Sequence, residues 1–318
     1  MASATTSVAA VLSALSGRDF LSSADASAQQ TAALLELATQ LKTGDRRIDL
    51  GNRVLGLIFT KASTRTRVSF QVAMARLGGQ TVDLNPQVTQ LGRGEPLEDT
   101  ARVLSRFCDV LAIRTFAQQE LVDYAHWASI PVINALTDLE HPCQALADFL
   151  TMQEAFGNLS GQTLAYVGDG NNVAHSLMLC GALLGVNVRI GCPEGFEPLP
   201  GVLDQARSLA VNGAEISVTS DPVAAVRCAQ ALYTDVWASM GQEQEQAERQ
   251  QAFKGFCLND ELLAEADAKA IVLHCLPAHR GEEISAAVME GPASRIFDQA
   301  ENRLHAQQAL LAALLGGL

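Results

Sequence analysis

Apolar runs of strand length alternate along this 318-residue chain with stretches whose apolar positions recur every three or four residues. Runs rich in aliphatic and β-branched residues predict strands near 54–59, 80–84, 109–114 and 131–136, then near 163–167, 187–191, 214–219, 231–235 and 270–275. Amphipathic stretches such as 97–107 and 143–156 fall between them. Strands separated by helices of this length form βαβ units, so the expected fold class is α/β with parallel sheets. Nine strands suit two domains better than one sheet. The expected division is residues 1–150, residues 151–300, and a terminal helix over 301–318 that packs back on the first domain. The joint falls in or beside "CQALADFLTMQEAFG", after which Gly157 and "LSGQ" punctuate the chain. In the tail "ENRLHAQQALLAALL", Leu304, Leu311 and Leu315 share one helical face.

The same pattern says where chemistry is to be sought, because a parallel sheet presents its working residues just beyond the carboxyl ends of its strands. After "VLGLIF" (54–59) comes "KASTRTRVSF" (61–70), which interleaves three cations with four hydroxyl side chains. Val68, Val72 and Ala75, with Phe70, Met74 and Leu77, continue at helical spacing, so Ser63, Thr64 and Thr66 stand at a helix start. Unpaired N–H groups and the positive end of the dipole make such a start an anion site. Arg65 and Arg67 point to a phosphate-sized dianion, although a capped helix with two surface arginines fits the same letters. The next strand ends in Arg114, and the one at 131–136 is followed by "HPCQ", with His141 and Gln144. Beyond the later strands lie "GDGNN", "TDVWASMG" and "HCLPAHR". Polar and ionisable residues thus collect at one rim of both halves, which predicts an active site in a cleft between two domains.

Charge sharpens this picture. With 22 basic and 35 acidic residues the chain carries −13, which disfavours nucleic acid or an anionic membrane as partner. An anion must therefore be met by a locally basic pocket. Seven scattered cysteines, without paired spacing, suit reduced thiols and a cytoplasmic setting. No apolar run approaches the roughly 18 residues of a membrane span. The opening "MASATTSVAAVLSALSGRDF" has no cation before Arg18, a poor secretory signal that leaves an organelle transit remnant open.

Several familiar chemistries fit badly. "GDGNNV" begins Gly-x-Gly, but Val173 occupies the third glycine position, so the dinucleotide fingerprint fails. There is no Walker phosphate loop. His141, Cys143, His274, Cys275 and His279 lack paired zinc-ligand spacing, and neighbours on a strand such as His274 and Cys275 are expected on opposite faces. No metal and no cofactor is expected. Cys275 as a covalent nucleophile needs a base and an acyl substrate, whereas a cysteine at a strand end is more often a small buried residue. Trp237 and Met240 read as packing unless their loop faces the cleft.

Taken in order, "STRTR", "HPCQALAD", "DVWASMG", "HCLPAHRGEEI" and "ENRLHAQ" resemble the carbamoyltransferases, on the ornithine side of the aspartate/ornithine carbamoyltransferase family. The resemblance runs from "GRDFL" at residue 17 to the C-terminal helix. Two departures occur: Thr60 stands where many members carry an acid, and Ala62 where many carry proline. The resemblance implies transfer of a carbamoyl group from carbamoyl phosphate to the δ-amine of L-ornithine, giving L-citrulline and phosphate, within arginine biosynthesis. The alternative is another amine, such as an acylated ornithine or putrescine; a non-catalytic sensor of phosphorylated metabolites fits the donor set less well.

By the same resemblance, Ser63, Thr64, Arg65 and Thr66 hold the phosphate with Arg114, while His141 and Gln144 hold the carbamoyl group. Arg303, at the head of the last helix, and the main chain at Cys275 and Leu276 complete that site. Gln90 reaches into a neighbouring subunit, which implies a homotrimer. Asp235 and Ser239 take the ornithine α-ammonium, and Asn172 and the Met240 N–H its α-carboxylate. Arg65, Thr66, Arg114 and His141 stabilise charge on the carbonyl oxygen. The attacking amine must be uncharged, and an amine of pKa about 10.4 is mostly protonated at pH 8, a handicap of about 3 kcal/mol. Asp235 and Cys275 bias it towards the neutral form, giving Cys275 an orienting role. The released proton can leave with the phosphate. Carbamoyl phosphate is expected to bind first, with the "SMG" loop then closing over ornithine.

Overall fold

The structure is a computed structural model that describes residues 7–85, 90, 94–238 and 246–318. The chain divides into two compact units, Met1–Leu146 with Arg303–Leu318, and Ala147–Asn302. Each carries its own parallel sheet.

In the first unit β1 (Val54–Phe59), β2 (Gln80–Leu84), β3 (Val110–Arg114) and β4 (Val132–Leu136) lie in the order β2-β1-β3-β4. The helices α1 (Val8–Leu12), α2 (Ala28–Thr43), α3 (Thr64–Arg76), α4 (Leu97–Leu104) and α5 (Gln118–Trp127) surround them in sequence, and α6 (Pro142–Phe156) begins there. In the second unit β5 (Thr163–Val167), β6 (Asn187–Gly191), β7 (Ile216–Thr219), β8 (Ala231–Thr234) and β9 (Ile271–His274) take the order β7-β6-β5-β8-β9. Its helices are α7 (Asn172–Leu183), α8 (Pro200–Leu209), α9 (Pro222–Val226), α10 (Gln246–Ala252), α11 (Asp260–Ala264) and α12 (Ala286–Glu290); α13 (Ile296–Leu314) then closes the chain. The chain crosses from one unit to the other within α6 and again within α13.

All nine strands fall within two residues of their expected bounds. The reason is compositional: β1, β3 and β5 are mostly apolar runs buried on both faces, as parallel sheets covered by helices require. Apolar residues from facing layers fill each core. Ile58, Leu111, Ile113, Leu121 and Val132 pack in the first unit, and Val167, Leu232, Val272, Phe253 and Ile296 in the second.

Two helices differ from expectation. In α13, His305 through Leu314 are buried all round, so the helix is an internal element and not a one-faced cover. It also starts at Ile296, which places Arg303 inside the helix and not at its head. In α3 only Phe70, Ala73, Met74 and Thr66 are buried, while Val68 and Val72 are exposed together with Val82 of β2. No helix among the described residues is long and apolar enough to cross a membrane.

Both sheets reverse direction of growth next to their first strand, between β1 and β3 and between β5 and β8. Loops leaving adjacent strands at such a switch point part to opposite faces and open a crevice at the carboxyl ends.

Candidate active site

The switch point of the first unit gathers cations. β1 ends at Phe59, and Ser63 precedes α3 in extended backbone without capping it. Its hydroxyl instead accepts a 3.3 Å hydrogen bond from Arg114 Nη1. Arg114 closes β3 where the pairing with β4 slips a residue, a bulge that re-aims the side chain at a strand end. From α13, the buried Arg303 donates through Nη1 to Gln144 Oε1 at 2.6 Å and through Nη2 to Thr66 Oγ1 at 3.0 Å. His141 lies among these groups, buried in the residue just before α6. Burial first, then the positive charges of Arg303, Arg114 and Arg65, hold its pKa well below the usual 6.5. The imidazole is therefore neutral at working pH.

The sequence named Ser63, Arg65, Thr66, Arg114, His141, Gln144 and Arg303, and the first unit brings them together. Thr64 is exposed as the first residue of α3. Gln90 is also exposed, and its carbonyl accepts from Glu95 N–H. Arg67 has a different life: it pairs with Asp83 and lies 5.0 Å over the Phe59 ring, so this arginine braces α3 against its own sheet.

The switch point of the second unit is built around a carboxylate. Asp235 follows β8 and is 6% exposed. Its Oδ1 accepts from Val236 N–H at 2.8 Å and from the Cys275 thiol at 3.0 Å, and its Oδ2 from Asn171 Nδ2 at 3.0 Å. Burial, then the Asp235 charge, raises the Cys275 pKa well above 9.0, so the sulfur stays a protonated donor. Asn172 opens α7 beside Asn171. Ser239 and Met240, named by the sequence for the same ligand, lie outside the described residues.

β9 ends at His274, so strand alternation does not carry on to Cys275. Contrary to the sequence expectation, the donor atoms of Asp235, His274 and Cys275 lie within 4.8 Å of one another. Each is already engaged. His274 Nδ1 accepts from Leu276 N–H at 2.8 Å, which puts the ring proton on Nε2, 3.0 Å from Glu283 Oε1. This donor set fits a hydrogen-bonded network better than a metal.

Sequence reasoning passed over four residues. Glu140 is 1% exposed and accepts from Ser22 Oγ and Ser23 N–H, pinning the loop that ends in His141. Arg249 pairs with Asp169 at 2.8 Å and also donates to Trp237 O, anchoring the last described turn before Ser239. Glu283 holds His274, and Asn171 holds Asp235. Only Asn171 left a legible signal, an Asn after a strand and before an apolar helical run, the mark of an N-cap. Gly170 has a packing reason: a Cβ there would meet Pro198 N at 2.2 Å.

Fold and clusters together define a two-domain α/β protein with guanidiniums gathered at one switch point and a hydrogen-bonded carboxylate at the other. The carbamoyl-P binding domain model of the aspartate/ornithine carbamoyltransferases matches residues 18–154, and their Asp/Orn binding domain model matches residues 160–314. The chain is 85% identical over 311 residues to an ornithine carbamoyltransferase of Prochlorococcus marinus (strain MIT 9313), covering 98% of each chain. It is 83% identical over 318 residues to one of Parasynechococcus marenigrum (strain WH8102), covering all of both. Among solved structures, the ornithine carbamoyltransferase from Gloeobacter violaceus superposes with a TM-score of 0.86 at 58% identity, over 93% of this chain and 98% of that one. The Pyrococcus furiosus enzyme gives 0.91 at 48%, over 96% and 99%. The chain belongs to the aspartate/ornithine carbamoyltransferase family.

Proposed function

We propose that this protein transfers the carbamoyl group of carbamoyl phosphate to the δ-amine of L-ornithine, releasing L-citrulline and phosphate, in the arginine-forming direction and in the cytoplasm. The observation that carries the reading is three guanidiniums grouped around a neutral imidazole in a protein of net charge −13. Such a group suits a small dianion with its own leaving group. The relatives' names favour ornithine over putrescine or an acylated ornithine as the amine.

In this reading the uncapped start of α3, with Ser63, Thr64, Arg65 and Thr66, takes the phosphate alongside Arg114. Arg303 and Gln144 are tied to one another before substrate arrives, so little reorganisation accompanies binding. His141 contributes an N–H dipole to the carbonyl oxygen and not a proton, because burial first and then the neighbouring guanidiniums keep it neutral. The Leu276 N–H is used by His274, so what Leu276 offers the carbamoyl NH2 is its carbonyl, with the Cys275 main chain beside it. Asp235 holds the α-ammonium of ornithine with Ser239, and Asn172 with the Met240 N–H its carboxylate. Cys275 orients Asp235 and the amine as a thiol.

The family resemblance implies a homotrimer to which Gln90 contributes across subunits, and the exposed valines of α3 and β2, Val68, Val72 and Val82, are apolar surface that an interface between copies would cover. Mixed refolding of inactive Gln90→Ala and Asp235→Ala chains then restores part of the activity. Mixed trimers that stay inactive would remove Gln90 from the shared site. The test of the function itself is a colorimetric citrulline assay run with ornithine, acetylornithine and putrescine. Ornithine is expected to give the highest kcat/KM; a faster rate with either other amine would reassign the substrate.

A further inference from the structure

The clamp on Asp235 has a second end. Asn171 Nδ2 donates to Asp235 Oδ2 at 3.0 Å, while Asn171 Oδ1 accepts from Val173 N–H at 2.9 Å and Ala174 N–H at 3.2 Å, capping α7. The two backbone donors require an acceptor, so the carboxamide can sit only one way round, with its NH2 towards the carboxylate. Tyr166 Oη approaches the same Oδ1 at 3.4 Å. Asn171 thus ties the end of β5 and the head of α7 to the residue just beyond β8, across the switch point.

We propose that Asn171 is a positioning residue for amino-acid recognition: through Asp235 Oδ2 and the α7 cap it fixes the spacing between the group that meets an α-ammonium and the group that meets an α-carboxylate. The inference rests on the ornithine reading above. Asp235 accepts from Val236 and Cys275 on Oδ1 and from Asn171 on Oδ2. A carboxylate has about four lone-pair sites, so this leaves one direction for a ligand cation. Without Asn171 the carboxylate loses its hydrogen bond on Oδ2 and is held through Oδ1 alone. Asn172, the first residue of α7, moves with the cap.

Two variants separate the clamp from the cap. Serine is also a strong N-cap but too short to cap and reach Asp235 together, so Asn171→Ser keeps α7 and releases Asp235. Asn171→Asp keeps a capping oxygen and sets a like charge against Asp235. The test measures kcat/KM for ornithine and the dissociation constants of two probes: 2-aminopentanoate, which is ornithine without its δ-amine, and a phosphonate analogue of carbamoyl phosphate. Loss of a hydrogen bond to a charged group predicts a drop on the order of 10- to 100-fold for ornithine and for 2-aminopentanoate in Asn171→Ser, and more in Asn171→Asp. The phosphonate should bind within about twofold of the parent in both. The clamp is overturned if either folded variant keeps ornithine use within about threefold, or if both probes weaken equally, which marks general loosening. A parent inactive on ornithine sinks the functional reading itself; an active parent with indifferent variants sinks the clamp alone.

Discussion

The two switch points are the same piece of topology loaded with opposite chemistry. In the first, guanidiniums gather beside a helix start that no side chain caps, and the imidazole among them is held neutral. In the second, the helix start is capped by Asn171, and a carboxylate is fastened by an amide, a backbone N–H and a thiol. The difference lies in which terminus is left open. An uncapped helix start with cations attracts an anion. A capped one, with a fixed carboxylate one strand away, offers a cation its partner. The fold supplies two crevices, and a few side chains at each set its chemistry.

Arg65 and Arg67 give the sharpest way to break the comparison, because they stand two residues apart on one helix. Arg65→Ala is expected to lower turnover by two to three powers of ten without unfolding the chain, since an exposed cation in the first turn of α3 adds little to the core. A normal rate from a folded variant would take Arg65 out of the chemistry. In the second unit, Asp235→Asn is expected to lower kcat/KM for ornithine about 30-fold or more. Putrescine, which carries no α-ammonium or α-carboxylate, should lose far less. Equal losses for the two amines would mean that Asp235 acts on the reacting amine and not on recognition.

Arg67→Met should leave kcat within about threefold of the parent and lower stability by at most about 1 kcal/mol, because its ion pair and ring contact are partly exposed. A loss near that of Arg65→Ala would place Arg67 on substrate. The smallest effect concerns pH. The folded-state pKa of His141 lies below the unfolded value of 6.5, so between the two the unfolded chain holds the extra proton. Stability from this group is complete above about pH 6.5 and falls as pH drops below it. His141→Gln removes the contribution, so its melting temperature should fall less than the parent's between about pH 7.5 and about pH 5. Equal falls would show that His141 is not the buried neutral group described above.

Much of this was legible in the sequence, for identifiable reasons. Strands such as β3 and β5 are buried on both faces and are read directly from mostly apolar runs of strand length. Residues placed just past them, from Ser63 to Asp235, follow from the strand ends. What escaped depends on partners far along the chain. Glu140 reaches back to Ser22, and Arg249 reaches Asp169. The reach of Asn171 to Asp235 likewise cannot be seen in "GDGNN". Periodicity also overstated one-sidedness: Val68 and Val72 continue the apolar pattern of α3 on its exposed face, and α13 is buried where one leucine stripe was expected.

The central claim is that the dianion belongs to the guanidinium cluster and owes nothing to the carboxylate clamp. Calorimetric titration of the phosphonate analogue into the parent, Arg65→Ala and Asp235→Asn tests it most directly. The account predicts binding to Asp235→Asn within about twofold of the parent, and binding to Arg65→Ala weakened on the order of 30-fold or more. Equal weakening in both variants, or no weakening in Arg65→Ala, would contradict it.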